Sequence, residues 1–423
     1  MRLYHFPPPI WPLPSRSGRS EAAAHIRDTY VDQAWRQAGP LRRASFAAAC
    51  LLWPIAAAAM AARETWRSGS TLARRLGKGR CLQFLEQYQL ALRHGILPRY
   101  YYVFELHDPA LRAVAADYLH RFETKGGIYS MLRRSEVTAA AGRPLHDKEK
   151  FFACCRASGI ATPEVLLSLK GGGGEAADLA PIDLFVKPTT GRGGEGAEKW
   201  LHIGNGWLRH DCHLDAAALL ARLRRQSRDT PLIVQPALRP HPALADVAMA
   251  ALPTVRIITM VDEAGDVEAL NAVFRMPRAL DSAVDNFHAG GIAAAVDMAS
   301  GRLGAATDIG LGDDTAWYRH HPVTGAAIAG RSLPYWREVG DLACRAHRAM
   351  NDRAIIGWDV AILADGPAVI EGNGWPDLDI HQRAERRPLG NLRLGRLLSH
   401  HLRLRQGKPP RPEIASAPLP SDA

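Results

Sequence analysis

Apolar residues recur every three or four positions between residues 72 and 122, with Leu82, Leu85, Tyr88 and Leu92 among them and charges in between. That spacing predicts helices and an all-α N-terminal region over residues 19–125. Within it, residues 44–62 contain no charge and are flanked by Arg42, Arg43, Arg63 and Arg67. The length admits a membrane span. The segment is mostly alanine and Pro54 interrupts it, so a packed helix, or one lying on a membrane surface, fits as well. Further along the pattern shortens. Residues 147–160 read as a helix capped by Asp147 and stopped by Gly159, and a strand begins around Pro163. Apolar, β-branched runs at 184–187, 232–234, 255–261, 267–275 and 292–296 read as strands, with helices over 215–226 and 334–350. The four glycines 171–174 read as a flexible hairpin or surface loop. Two more strands flank a turn at 364–367. The predicted class is α+β, with mostly antiparallel, hairpin-linked strands. Pro-rich residues 1–18 and the tail 406–423 are expected to be disordered, and the former lacks the apolar core of a signal peptide.

The 423 residues leave room for two or three domains, and 47% hydrophobic with 23% charged residues is ordinary for a globular protein. The net charge of +10 is uneven: residues 1–110 hold 15 Lys/Arg against 7 Asp/Glu, and the rest is near neutral. A basic first quarter suits contact with a membrane leaflet or another acidic surface, although an Arg-rich solvated helical surface explains it equally. No nucleic-acid partner is expected. Cys50, Cys81, Cys154, Cys155, Cys212 and Cys344 are scattered without C-x-x-C spacing, which excludes a zinc site or disulfide framework and points to reduced, cytoplasmic thiols.

Candidate chemistry concentrates in two places. Asp359 lies on the first strand of the late hairpin; Glu371 and Asn373 lie on the second, two residues apart and so on one face. Gly372 between them leaves room for close approach. Two acids and an amide form a hard-oxygen cluster suited to Mg²⁺ shared with phosphate; a hairpin with solvated acids is the plain alternative. The second place is Asp183-Leu-Phe-Val-Lys187, a strand that delivers Lys187 to the glycine-rich loop 191–196. Glycines let backbone N–H groups turn toward an anion, and Lys187 adds a point charge. The loop is neither a Walker A loop nor a dinucleotide fingerprint. Arg256 and Arg275 sit on successive strands and suit phosphate or carboxylate. In Asn286-Phe-His288-Ala-Gly290-Gly291, Asn286 offers an amide and His288 a base. No nucleophile elbow or catalytic triad is present.

The order of these parts resembles the ATP-grasp superfamily over about residues 140–395, nearest its sugar-transfer-associated and α-L-glutamate-ligase-like branches. The resemblance implies two α+β subdomains clasping ATP across residues 126–405, with a mobile lid subdomain at about 162–236. It implies Lys148 and Lys187 on the ATP phosphates, covered by a loop with Gly191, Gly193, Gly194 and Gly196. Gln235, Pro236 and Ala237 would hold adenine. Asp359, Glu371 and Asn373 would hold one or two Mg²⁺, replaceable by Mn²⁺. Arg256 or Arg275 would stabilise the transferred phosphate, and Asn286, His288, Gly290 and Gly291 would face substrate. The implied activity is ligation of a small-molecule carboxylate and amine through an acyl phosphate, in cell-surface or polysaccharide biosynthesis. A phosphotransferase, or a nucleotide-binding scaffold at a membrane, is the competing class. The linker strand lacks the acidic residue common near ribose; Glu195 and Asp246 are the remaining candidates. The helical first third departs from the family's usual α/β first domain, leaving the acceptor site unassigned.

Overall fold

The computed structural model describes residues 18–133, 144–173, 179–190, 196–249, 251–278, 287, 290–311 and 316–408. The helical first part begins with Glu21–Arg36, where the Ser20 hydroxyl caps the N-terminus by accepting from the Ala23 N–H. A second helix, Pro40–Leu76, starts with proline in its first turn and ends at Gly77 (φ +65°). It runs uninterrupted through Pro54. By length and composition it is able to cross a membrane, but Trp53, Ala57 and Ala61 are buried against the antiparallel helix Arg80–His94. An aromatic knot, Tyr100 to Phe104 with Tyr118, closes this part.

Two antiparallel sheets follow. The first contains β1 (Leu167–Leu169), β2 (Leu184–Pro188), β3 (Glu198–Ile203), β4 (Gly206–Arg209), β5 (Cys212–Asp215) and β6 (Leu232–Pro236), in the order β1-β6-β2-β3-β4-β5. Helix Ala216–Gln226 buries Leu219 and Leu223 against Leu184, Val186, Trp200 and Val234. The hydrophobic pattern locates β2 and β6 but misses β3, β4 and β5. These three are short and half-exposed, and His202, Arg209 and His213 break the apolar alternation.

The second sheet contains β7 (Thr254–Val261), β8 (Val267–Met276), β9 (Ile292–Val296), β10 (Leu303–Thr307), β11 (Trp317–Tyr318), β12 (Ile355–Leu363) and β13 (Gly366–Asn373). Its order is β11-β10-β9-β8-β7-β12-β13. Side chains alternate, so each face has its own core. On one face Val255, Ile257, Trp358 and Val360 pack with Val339, Leu342 and Ala346 of helix Trp336–Ala349 and with Phe151 and Phe152. On the other, Ile258, Met260 and Ile355 pack with Leu394, Leu398 and Leu402 of helix Arg393–Arg405. Ile26 and Tyr30 of the first helix join this second core. The helical N-terminal region is therefore built into the sheet domain.

Candidate active site

The strand order places three charges in one row. Arg256 on β7 is in register with Asp359 on β12, which is in register with Glu371 on β13. Cross-strand partners share a face, and Asn373, opposite Gly357, follows on the same side. Gly372 between them points the other way. A Cβ there would lie 2.5 Å from Leu145 and 2.8 Å from Trp358, so glycine lets the edge strand press onto the residues before helix Lys148–Ala157.

Asp359 is buried and bound by arginine on both oxygens. Arg256 donates Nε to Oδ1 and Nη2 to Oδ2, each at 2.6 Å. Arg275 adds Nη2 at 3.0 Å from Oδ2 and donates to Thr254 Oγ1 at 3.2 and 2.6 Å. Burial works against the ionised carboxyl, but Arg256 and then Arg275 outweigh it, so Asp359 titrates below the ordinary aspartate range. A carboxylate has about four lone-pair sites; among the described residues these contacts leave one open, on Oδ1.

Beside this row the first sheet arrives. Asp147 caps helix Lys148–Ala157 by accepting from Glu149 and Lys150 N–H groups at 2.9 and 3.2 Å. Lys148 donates its backbone N–H to the Thr189 carbonyl just past β2, at 3.1 Å. Its Nζ lies 4.0 Å from Glu371 Oε1. Lys187, near the end of β2, is buried, with Nζ 4.8 Å from the Phe152 ring centre. Burial pushes its ammonium down to about 8, opposed by Glu371 and reinforced by Lys148. Pro144, Asp147, Lys148, Thr189 and Glu371 line a hollow of about 40 Å³, space for a water or two. Four cations (Lys148, Lys187, Arg256, Arg275) thus meet two carboxylates, a surplus that suits a polyphosphate.

Gln235 and Pro236 lie on the buried central strand β6, where Gln235 Nε2 donates to the Pro163 carbonyl at 3.2 Å. The Ala237 N–H donates to the Asp183 carbonyl at 2.8 Å, so this N–H is already paired within the protein. Gly196 (φ +75°) precedes β3. Gly290 (φ +100°) and Gly291 lead into β9, where Ala293 opposes Arg275. Gly191, Gly193, Gly194, Glu195, Asn286 and His288 lie outside the described residues. Asp246 is paired with Arg331 at 2.6 Å, on a helix preceding β7.

The structure adds residues that no motif singled out. Past Asn373, Asp377 accepts from Arg121 at 2.9 Å and Lys125 at 3.0 Å, both from the helical N-terminal part. The Tyr100 hydroxyl reaches Asp379 at 3.4 Å. His381 is fully buried; burial, then Arg256, pushes it down to about 3, which favours the neutral imidazole. Burial, together with Asp377, raises the Asp379 carboxyl. Asn373 Nδ2, Asp379 Oδ1 and both ring nitrogens of His381 are buried without a hydrogen-bond partner among the described residues. Buried polar atoms are ordinarily paired, so this cluster is a candidate for binding something polar. The alternation Asp377-x-Asp379-x-His381 directly after the Glu-x-Asn strand was its only sequence signal.

Among the described residues no group of three or more His, Cys, Asp or Glu side chains is placed to hold a metal ion. A cation site here must include an amide. Glu371, Asn373 and the open lone pair of Asp359 meet that condition: three hard-oxygen donors on one face, beside two lysines.

Two antiparallel sheets, with lysines from one side meeting an acid–amide strand of the other, define an ATP-grasp protein. A family profile described as sugar-transfer associated ATP-grasp matches residues 138–394, and the chain belongs to that family. A search of curated protein sequences returns no match. Among solved structures, D-alanine–D-alanine ligase from Bacillus anthracis is 14% identical with a TM-score of 0.36, over 62% of this chain and 68% of that one. L-amino acid ligase from Bacillus licheniformis is 12% identical with a TM-score of 0.36, over 62% of this chain and 49% of that one. VanG D-Ala:D-Ser ligase from Enterococcus faecalis is 12% identical with a TM-score of 0.37, over 62% of each chain. The likeness carries nothing about substrates.

Proposed function

We propose that the chain is an ATP- and Mg²⁺-dependent carboxylate–amine ligase. The observation that supports this most is the convergence of Lys148, Lys187 and Glu371 beside the Arg256–Asp359–Arg275 cluster. In this reading Lys148 and Lys187 bind the ATP phosphates, with the loop around Gly191–Gly196 over them. Glu371, Asn373 and Asp359 would hold Mg²⁺, which supplies charge neutralisation at the phosphate oxygens. Arg256 and Arg275 face the phosphoryl group as it passes to a substrate carboxylate, giving an acyl phosphate and ADP. An amine then attacks the acyl carbon and inorganic phosphate leaves. No covalent protein nucleophile is needed; charge stabilisation and alignment carry the rate. We place the acceptor end at Asp379 and His381, where buried polar atoms lack partners, and Gly290 and Gly291 at its rim. We place the substrates in cell-surface or polysaccharide biosynthesis, a reading in keeping with the family's description as sugar-transfer associated.

The test is ADP release on pairing candidate carboxylates with amines. ADP formation that needs both substrates supports ligation. A stable phosphorylated product would replace it with a phosphotransferase. Turnover by Glu371→Gln at the wild-type rate would overturn the site.

A further inference from the structure

The helix Pro40–Leu76 shows two unlike faces. One is docked: Trp53 Nε1 donates to the Ala91 carbonyl at 3.0 Å, Gln87 reaches Thr65 Oγ1 at 2.7 Å, and Gln83 reaches the Gly69 carbonyl at 3.0 Å. The opposite face carries Ala48, Leu52, Ile55, Ala59, Ala62 and Trp66, spaced four and three apart, as one exposed stripe. Leu51 is 82% exposed, Ile55 70% and Trp66 77%. Contiguous apolar surface of this kind marks an interaction site.

The neighbouring helix extends it. Leu82 and Leu85 are exposed beside the stripe. Ala62, Thr65, Cys81, Phe84 and Leu85 wall a groove of about 380 Å³, with Arg80 on its lining. The charges along this helix are predominantly basic, and Arg63, Arg67 and Arg74 flank the stripe. Residues 40–76 hold six arginines and a single acid, Glu64, and the arginines at 42, 43, 63, 67, 74 and 75 are exposed.

We propose that this helical hairpin lies flat on an anionic bilayer leaflet, with the stripe and the groove among the acyl chains and the arginines at the headgroups. Charge complementarity selects this occupant. A protein partner would need acids to match the arginines, whereas an anionic leaflet offers apolar depth and negative charge together. Tryptophan and arginine at the edge of an apolar face match the interfacial zone. A spanning arrangement is disfavoured because the docked face would have to leave Ala91, Gln83 and Gln87. At about 1.5 Å per residue the helix is roughly 55 Å long, longer than a bilayer core but unconstrained when lying flat. The proposal is independent of the ligase reading.

The test is co-sedimentation of the full chain with vesicles of phosphatidylcholine and phosphatidylglycerol in equal parts, and of phosphatidylcholine alone. Binding is expected to the mixed vesicles and to weaken with salt. Leu52→Glu and Ile55→Glu should each lower partitioning by at least about tenfold. Arg63→Glu/Arg67→Glu should lower it about fivefold or more per site on mixed vesicles only. Unchanged circular dichroism and melting show that the variants fold, since these side chains leave the core untouched. A wild-type chain that stays in the supernatant with both vesicle types overturns the proposal. So does resistance to alkaline extraction, which marks a span. A dimer that Ile55→Glu turns into monomer, without vesicle binding, would mean that a second copy covers the face.

Discussion

Replacing Asp359 with alanine separates two things that a simple loss-of-activity experiment merges. The carboxylate accepts three arginine contacts at 2.6, 2.6 and 3.0 Å, and the side chains of Asp359, Arg256 and Arg275 are 8, 16 and 9% exposed. Removing it strands two buried guanidinium groups side by side. Breaking such a pair from one side costs about 3–5 kcal/mol. Asparagine retains an acceptor and should cost less, about 1.5–3 kcal/mol. The paired change Asp359→Leu/Arg256→Met removes the stranded charge with its partner and should recover part of the loss, a coupling of about 0.5–3 kcal/mol. Because the folded pKa is depressed, this contribution is complete above the ordinary aspartate range, near 4. It fades as pH falls through the lower folded value. Denaturant unfolding at neutral pH measures the losses, and nucleotide binding by calorimetry reports the site separately. By contrast Glu371 is half-exposed, with Lys148 Nζ 4.0 Å from its carboxylate, so Glu371→Gln should lose turnover while unfolding like wild type. If Asp359→Ala unfolds within about 0.5 kcal/mol of wild type, the arginine clamp does not exist in solution and the reasoning fails.

Lys187 is charged below about pH 8 in the free protein, and phosphate favours the charged form. ATP affinity should therefore fall as pH rises through that value, whereas Lys187→Arg should bind ATP without the decline; a flat wild-type profile in calorimetry counts against burial of the ammonium. His381→Ala and Asp379→Asn should leave ATP affinity unchanged and raise KM for the acceptor amine by about tenfold, one lost buried contact. A change in ATP affinity instead would move these residues to the nucleotide end. Leu398→Ala, in the core shared with Ile26 and Tyr30, should cost about 2–5 kcal/mol and loosen helix Glu21–Arg36 together with helix Arg393–Arg405. Hydrogen exchange that loosens only the latter would separate the two.

Much of the second sheet was legible because β7, β9 and β12 are apolar runs buried on both faces, as is the second half of β8. The same alternation correctly placed Glu371 and Asn373 on one side of β13. What alternation does not contain is strand order. Arg256 is about a hundred positions from the hairpin that carries Asp359 and Glu371, and only the neighbouring of β7 and β12 brings it into their row. Without that order nothing in the sequence pairs Arg256 and Arg275 with Asp359, whose carboxylate both contact. Asp377 and Asp379 were missed because their partners Arg121, Lys125 and Tyr100 come from the helical part, which showed no chemistry of its own. The N-terminal helix has an ordinary apolar stripe, and nothing in it names a docking partner more than 350 positions away.

That docking has a consequence for how the polypeptide is made. His25 bonds to Ser399 across 374 positions, so helix Glu21–Arg36 leaves the ribosome long before its counterpart exists. At about 5–20 residues per second, Ile26 and Tyr30 wait roughly 20–75 s for the part of their cover that Leu394, Leu398 and Leu402 supply. Through that interval the nascent chain presents a partly covered apolar helix followed directly by the arginine-flanked hairpin. Helix Arg393–Arg405 acts as the clasp: its arrival ends the wait and closes the chain on itself.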